Sequence, residues 1–306
     1  MSSYFFKKIS SLSLSLFLLA SLTFALMQAM PGDPFGQEQA LSYEMRQSLL
    51  KHHGLDLSYW QQYVRYLQQL SHGELGYSLT YAGRSVNQLI LENFPTSAYL
   101  GLQALFLTCL LTLSFAPVAA LKAGTWVDLL VQLLIALALS VPSFILAALL
   151  QYFFSIKWHL FPLAQWNSFT HTLLPTFTLA ALPAAFMTRL LRSSLVKVLQ
   201  MDYIEMAKAK GLHPLKILYK HALRNALLPV LSYLGPLTSL LLVGSFVIET
   251  VYSIPGLGQW YVKSITNRDY PMIMGLTLFY AAILMIINCL TDLISCALDP
   301  RIRRPS

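Results

Sequence analysis

The chain has 306 residues, 56% of them hydrophobic and only 11% charged, with a net charge of +8. A soluble protein carries roughly 25% charged residues, so the deficit, with a mean hydropathy of +0.57, argues for a multi-span membrane protein and against one or two soluble domains. The basic balance does not indicate nucleic-acid binding, because the Lys and Arg residues cluster beside apolar runs, where membrane topology places them.

In chain order, Ile9 to Met30 is the first apolar run, behind Lys7 and Lys8. Ala25 to Ala29 offers the small residues of a signal-cleavage site, but the run is long for a signal core, and a retained span is expected. Residues 31–94 form a polar extracytoplasmic segment. It should hold two amphipathic helices, one over Leu41 to His53 and one presenting Trp60, Tyr63, Val64, Leu67 and Leu70 on one face.

A core of five further spans is expected over 95–306. The second runs from Pro95 to Leu121 and the third from Val127 to Ser155, with Pro142 inside. The fourth runs from Leu173 to Leu191, with Pro183 inside. A polar stretch, Arg192 to Asn225, separates it from the fifth, Leu228 to Ile248. The sixth covers Pro271 to Leu298 and ends before Asp299-Pro300. The expected fold is therefore all-α and polytopic, with six transmembrane helices. Fourteen of the 21 Lys and Arg residues fall on the side holding both termini, which the positive-inside rule makes cytoplasmic.

Chemistry-bearing constellations are sparse. No P-loop, Ser/His/Asp arrangement or H-E-x-x-H pattern is present, so no catalytic residue and no resident cofactor is assigned. The His52-His53 pair reads as two polar side chains on the solvent side of a helix rather than a metal site, and Cys109, Cys289 and Cys296 as small buried hydrophobes. Asp128 and Glu249 fall at expected span ends. Asp292, on one helical face with Asn288, reads as a packing contact near an interface. Pro142 and Pro183 interrupt backbone hydrogen bonding in mid-span; such kinks can line a translocation path or simply serve packing.

The most informative stretch is the loop 192–229. Tyr203 to Lys210 can form a short helix, Gly211 permits a left-handed turn, and His213-Pro214 restarts a second helix. A polar helix–turn–helix between two segments that must sit in lipid is a docking element on a membrane surface.

The whole chain resembles the B-type permease subunits of bacterial dipeptide, oligopeptide and nickel ABC importers. The resemblance is carried by Met30-Pro-Gly-Asp-Pro34, Gly73-Glu-Leu-Gly-Tyr-Ser78, Val141-Pro-Ser-Phe144, Asp202-Tyr203, Ala207-Lys-Ala-Lys-Gly-Leu212, His221-Ala-Leu-Arg-Asn-Ala226, Glu249-Thr-Val-Tyr252, Pro255-Gly-Leu-Gly258 and Arg268-Asp-Tyr-Pro271. It implies a type I importer permease in the bacterial inner membrane. It also implies a second, C-type permease subunit, two ABC ATPase subunits that bind the ATP, and an extracytoplasmic substrate-binding protein. Glu205, Ala207, Gly211 and Leu212 match the family's ATPase-docking motif, with Met206 departing from its second small residue. Peptide is the implied substrate, with nickel or another small solute as the alternative. A stand-alone secondary carrier is the competing class, and it would work without ATP.

Overall fold

The computed structural model describes residues 2–29, 47, 54, 56–81 and 83–298, with side chains over 10–29, 47, 54, 56–81 and 83–293. Apart from Gln47, the expected amphipathic helix over Leu41 to His53 lies outside these residues, as do the His52-His53 pair and the side chain of Cys296. Among the described residues the only regular structure is helical. Contacts divide the chain into two units, Met1–Pro95 with Gly256–Met285, and Thr96–Pro255 with Ile286–Ser306.

In the first unit, α1 (Ser2–Ala29) holds the apolar run Ser10–Ala29 and packs on α2 (Tyr59–Ser71). The start of α2 is fixed by Gln61 Oε1, which accepts from the Ser58 backbone N–H at 3.2 Å. Phe24 of α1 stacks against Tyr66 with ring centroids 5.7 Å apart, and Ser21 and Tyr63 hydroxyls meet at 2.6 Å. The apolar face of α2 is therefore Tyr63, Tyr66, Leu67 and Leu70, whereas Trp60 stays 71% exposed and Val64 is also exposed. The sequence reading placed Trp60 and Val64 on that face. They lie on its flank, because the contact line with α1 is centred on Tyr63, Tyr66 and Leu70, and Trp60 and Val64 are turned to one side of it.

The segment between α2 and α3 (Val86–Leu121) is held by side chains. Asn87 Oδ1 accepts from Leu75 N–H at 2.9 Å, and Asn87 Nδ2 donates to the Gly73 carbonyl at 2.7 Å. The buried Asp269 carboxylate accepts from the Ser78 hydroxyl and, at 3.1 Å, from Leu79 N–H. It also accepts from Met272 N–H at 3.3 Å, so it caps α13 (Tyr270–Leu298) at the same time. Val86, Leu89, Ile90, Leu257, Met272 and Leu276 close a core there, the Leu257 coming from α12 (Leu257–Thr266).

The second span starts earlier than expected. Ser85 Oγ accepts from Gln88 N–H at 3.1 Å and caps α3 ten residues before Pro95. Proline is compatible with a helix start, but here Pro95 lies inside a 36-residue helix. At about 1.5 Å per residue that helix is about 54 Å long, more than the roughly 30 Å of a bilayer core.

In the second unit the third span is not one helix. α4 (Trp126–Ser140) and the pair formed by α5 (Ser143–Leu150) and a π-helical stretch, Gln151–Lys157, meet at a bend of 104° at Val141-Pro142. Five helical stretches are long and apolar enough to cross a membrane, and the number becomes six if the bent pair counts as one span. By contrast α6 (Thr170–Leu199) runs unbroken through Pro175 and Pro183, with Pro183 buried. It continues past the predicted end at Leu191, because charged residues after an apolar run mark the lipid boundary without ending helical hydrogen bonding.

α6 is the centre of this unit. Ala180, Met187, Leu191, Leu195 and Val198 join residues of α3 and α10 (Leu228–Val243) in one cluster. Inside lipid, apolar burial does not drive helix association, so the small residues Ala104, Ala116, Ala120 and Ala180 serve by letting backbones approach closely. The fifth span is broken. α10 ends at Gly244, and α11 (Phe246–Val251) follows. Gly244 has φ 89°, and a Cβ there would collide with the Glu249 carboxylate and with the Ser97 side chain, so only glycine fits.

Candidate functional site

The polar hairpin between α6 and α10 is built from α7 (Asp202–Ala209), a turn, and a second limb. That limb comprises α8 (Pro214–Lys216), a π-helical turn over Ile217–Ala222 and α9 (Leu223–Ala226). Asp202 and Glu205 sit in the first turn of α7, where the helix dipole favours carboxylates.

The end of α7 follows from Gly211. Its φ is 71°, its N–H donates to the Lys208 carbonyl at 2.9 Å, and Leu212 N–H donates to the Ala207 carbonyl at 3.3 Å. This pair of bonds is a Schellman closure, which needs a left-handed residue at the glycine position and places the next apolar residue back against the helix. Leu212 is accordingly half-buried against the core. Pro214 then opens the second limb, where its missing N–H costs nothing, and His213 Nδ1 accepts from Leu215 N–H at 3.4 Å. Asn225 Nδ2 donates to the Tyr203 hydroxyl at 2.8 Å and ties the two limbs together.

The hairpin has two faces. Ile204 and Ala207 from α7, with Ile217, Leu218, Ala222 and Ala226 from the second limb, are buried in the same cluster as α6 and α10. Burying a side chain such as Ile204 from water is worth about 2 kcal/mol, which fixes α7 to the ends of the spans. Glu205, Lys208 and Ala209 face outward, and Met206 is 60% exposed.

The four predicted docking residues therefore divide. Glu205 and Gly211 are exposed, with open space around Gly211. Ala207 is buried and Leu212 half-buried, both facing the chain's own core. The signal for that split was present in the sequence: Ile204 and Ala207 are three residues apart and share a helical face. Met206, noted in the sequence only as a departure from a motif, stands on the outward face.

Just before the hairpin lies a feature the sequence did not show. Asp128 of α4 is buried and receives Arg192 of α6 in a two-pronged ion pair, Nε at 2.6 Å and Nη2 at 2.5 Å. Gly124 N–H donates to the same carboxylate at 3.0 Å. The partners are 64 residues apart, beyond any local pattern. Ten residues along α6 and its turn separate Arg192 from Asp202, so the pair holds the helix from which α7 departs. The other span-end carboxylate, Glu249, lies inside α11, fully buried, and accepts from the Ser97 hydroxyl at 2.8 Å. Asp292 is exposed on α13. Pro142 is exposed at the 104° bend. Among the described residues no group of three His, Cys, Asp or Glu side chains is placed to hold a metal ion.

Among the described residues the structure is helical, with several helices long and apolar enough to cross a membrane and a polar hairpin packed into the core that α6 and α10 share, the build of an integral membrane protein. The chain belongs to the family described as binding-protein-dependent transport system inner membrane component, whose model matches residues 102–304. It is therefore a transport component and not a catalytic one. It is 43% identical to the dipeptide transport system permease protein DppB of Bacillus subtilis (strain 168), over 99% of this chain and 98% of that protein. It is 38% identical to the oligopeptide transport system permease protein OppB of Escherichia coli (strain K12), over 94% of this chain and 95% of that protein. Among solved structures, the fold is similar to that of a chain of the MetNI methionine ABC transporter in an inward-facing conformation, at a TM-score of 0.54 and 18% identity, over 69% of this chain and 96% of that one.

Proposed function

We propose that the protein is one permease subunit of an ATP-driven importer of short peptides. It forms half of a translocation path with a second permease, receives substrate from an extracytoplasmic binding protein, and has both termini in the cytoplasm. End-to-end similarity to dipeptide and oligopeptide permeases supports the substrate class.

The observation that carries the coupling is the two-faced hairpin. Its inner face is part of the core of the spans, so α7 moves with α6 and α10 rather than independently of them. Its outer face offers Glu205 and Met206 to a separate ATPase subunit, and ATP hydrolysis takes place on that subunit. Closure of the ATPases pushes α7 as a rigid body and reorients the spans.

The test is ATP hydrolysis by the reconstituted complex with its binding protein, titrated with short peptides and, separately, with nickel. Stimulation by peptides alone is expected. Stimulation by nickel alone would transfer the protein to metal import, and ATP-independent transport without a co-purifying ATPase would overturn the importer reading.

A further inference from the structure

The second limb of the hairpin carries a face that docking through α7 does not use. Lys216, Lys220 and Arg224 recur every four residues across α8, the π turn and α9, and all three are exposed. Residues four apart drift by about 40° around an α-helix. The wider π turn over Ile217–Ala222 winds less per residue and works against that drift, which keeps the three cations in a row on the exposed side of the limb.

The opposite side of the limb is buried through Ile217, Leu218 and Ala222. Beside the row stand Leu215 and Tyr219, 54% and 61% exposed. α7, which packs against this limb, carries Asp202 and Glu205; among the described residues neither forms an ion pair with the row. Among the described residues the positive charge of the row is therefore not compensated by an ion pair. Arg224 precedes the first residue of the apolar helix α10 by four positions, about 6 Å of helix. That puts the end of the row next to the start of the fifth apolar helix.

An exposed cationic row flanked by a tyrosine and a leucine, leading directly into a span, fits an anionic membrane surface. We propose that Lys216, Lys220 and Arg224 bind the phosphate groups of anionic phospholipids and seat the second limb of the hairpin on the inner leaflet. The assignment of the leaflet rests on the orientation proposed above; the chemistry of the row does not.

The experiment uses the complete complex, permeases and ATPases together, in nanodiscs of phosphatidylcholine with phosphatidylglycerol as the minor lipid. Phosphatidylglycerol retained per complex and ATPase stoichiometry are both read by native mass spectrometry. The wild type should retain phosphatidylglycerol above its bulk fraction. The triple variant Lys216→Gln/Lys220→Gln/Arg224→Gln should lose that enrichment several-fold while the ATPases stay bound. The charge-preserving variant Lys216→Arg/Lys220→Arg/Arg224→Lys should keep it. If the triple variant does not insert, the single Lys216→Gln and Lys220→Gln variants should each lower the enrichment by a part. Unchanged enrichment in the neutralised variants overturns the proposal, as does loss of ATPase with enrichment intact, which would make the row a protein contact. A Glu205→Arg complex that keeps its ATPase would sink the docking reading alone and leave the lipid readout to decide this one.

Discussion

Gly211 carries the geometry of the hairpin in a single residue. Its φ of 71° closes α7, and open space around it means that a side chain there meets strain rather than a clash. Gly211→Ala should therefore destabilise the turn by about 1 kcal/mol, the order of the left-handed penalty for an L-residue, and lower uptake without loss of the protein from the membrane. Uptake at the wild-type rate would show that the turn is not part of coupling. Arg192 poses the opposite case, a charge whose removal strands a partner. Arg192→Leu leaves Asp128 without its cation, whereas Asp128→Leu/Arg192→Leu removes both charges. The single variant should show a lower thermal midpoint in detergent than the double. Equal midpoints would mean that the ion pair contributes nothing beyond packing.

At the scale of the element, α7 separates seating from contact. Ala207 faces the core and Met206 faces out. Ala207→Leu should overpack the seat, costing about 1–3 kcal/mol and lowering both thermal stability and ATP-driven uptake. Met206→Glu should lower uptake with the thermal midpoint unchanged, because the side chain touches little of its own chain. If Met206→Glu destabilised the isolated permease as much as Ala207→Leu, the two-face description would fail. The helix itself was legible in the sequence, since Gly211 and Pro214 punctuate it with residues whose backbone restrictions are intrinsic. Which residues point inward was half legible: Ile204 and Ala207 share a face, but only the position of the core decides that this face is the buried one.

For the molecule as a whole, orientation is the property that the charge distribution predicts and a labelling experiment can check. In a background with Cys109, Cys289 and Cys296 replaced by Ala, Lys208→Cys should react with a membrane-impermeant maleimide only from the cytoplasmic side, and Arg84→Cys only from the outside. Reversed labelling would invert the topology and with it the docking proposal.

By itself the sequence determined the membrane class, the positions of the apolar helices and the site of the polar hairpin. These depend on local composition and on residues such as Gly211 and Pro214 that act through their own backbone. Tertiary structure alone decided the rest. It set the 104° bend at Pro142 while Pro183 stayed inside an unbroken helix, and it broke the fifth span at Gly244 around the buried Glu249. It also joined Asp128 to Arg192. A proline loses the same hydrogen bond anywhere in a helix, and a carboxylate carries the same charge anywhere in a chain. What surrounds each one is fixed by partners distant in sequence, which no local pattern encodes.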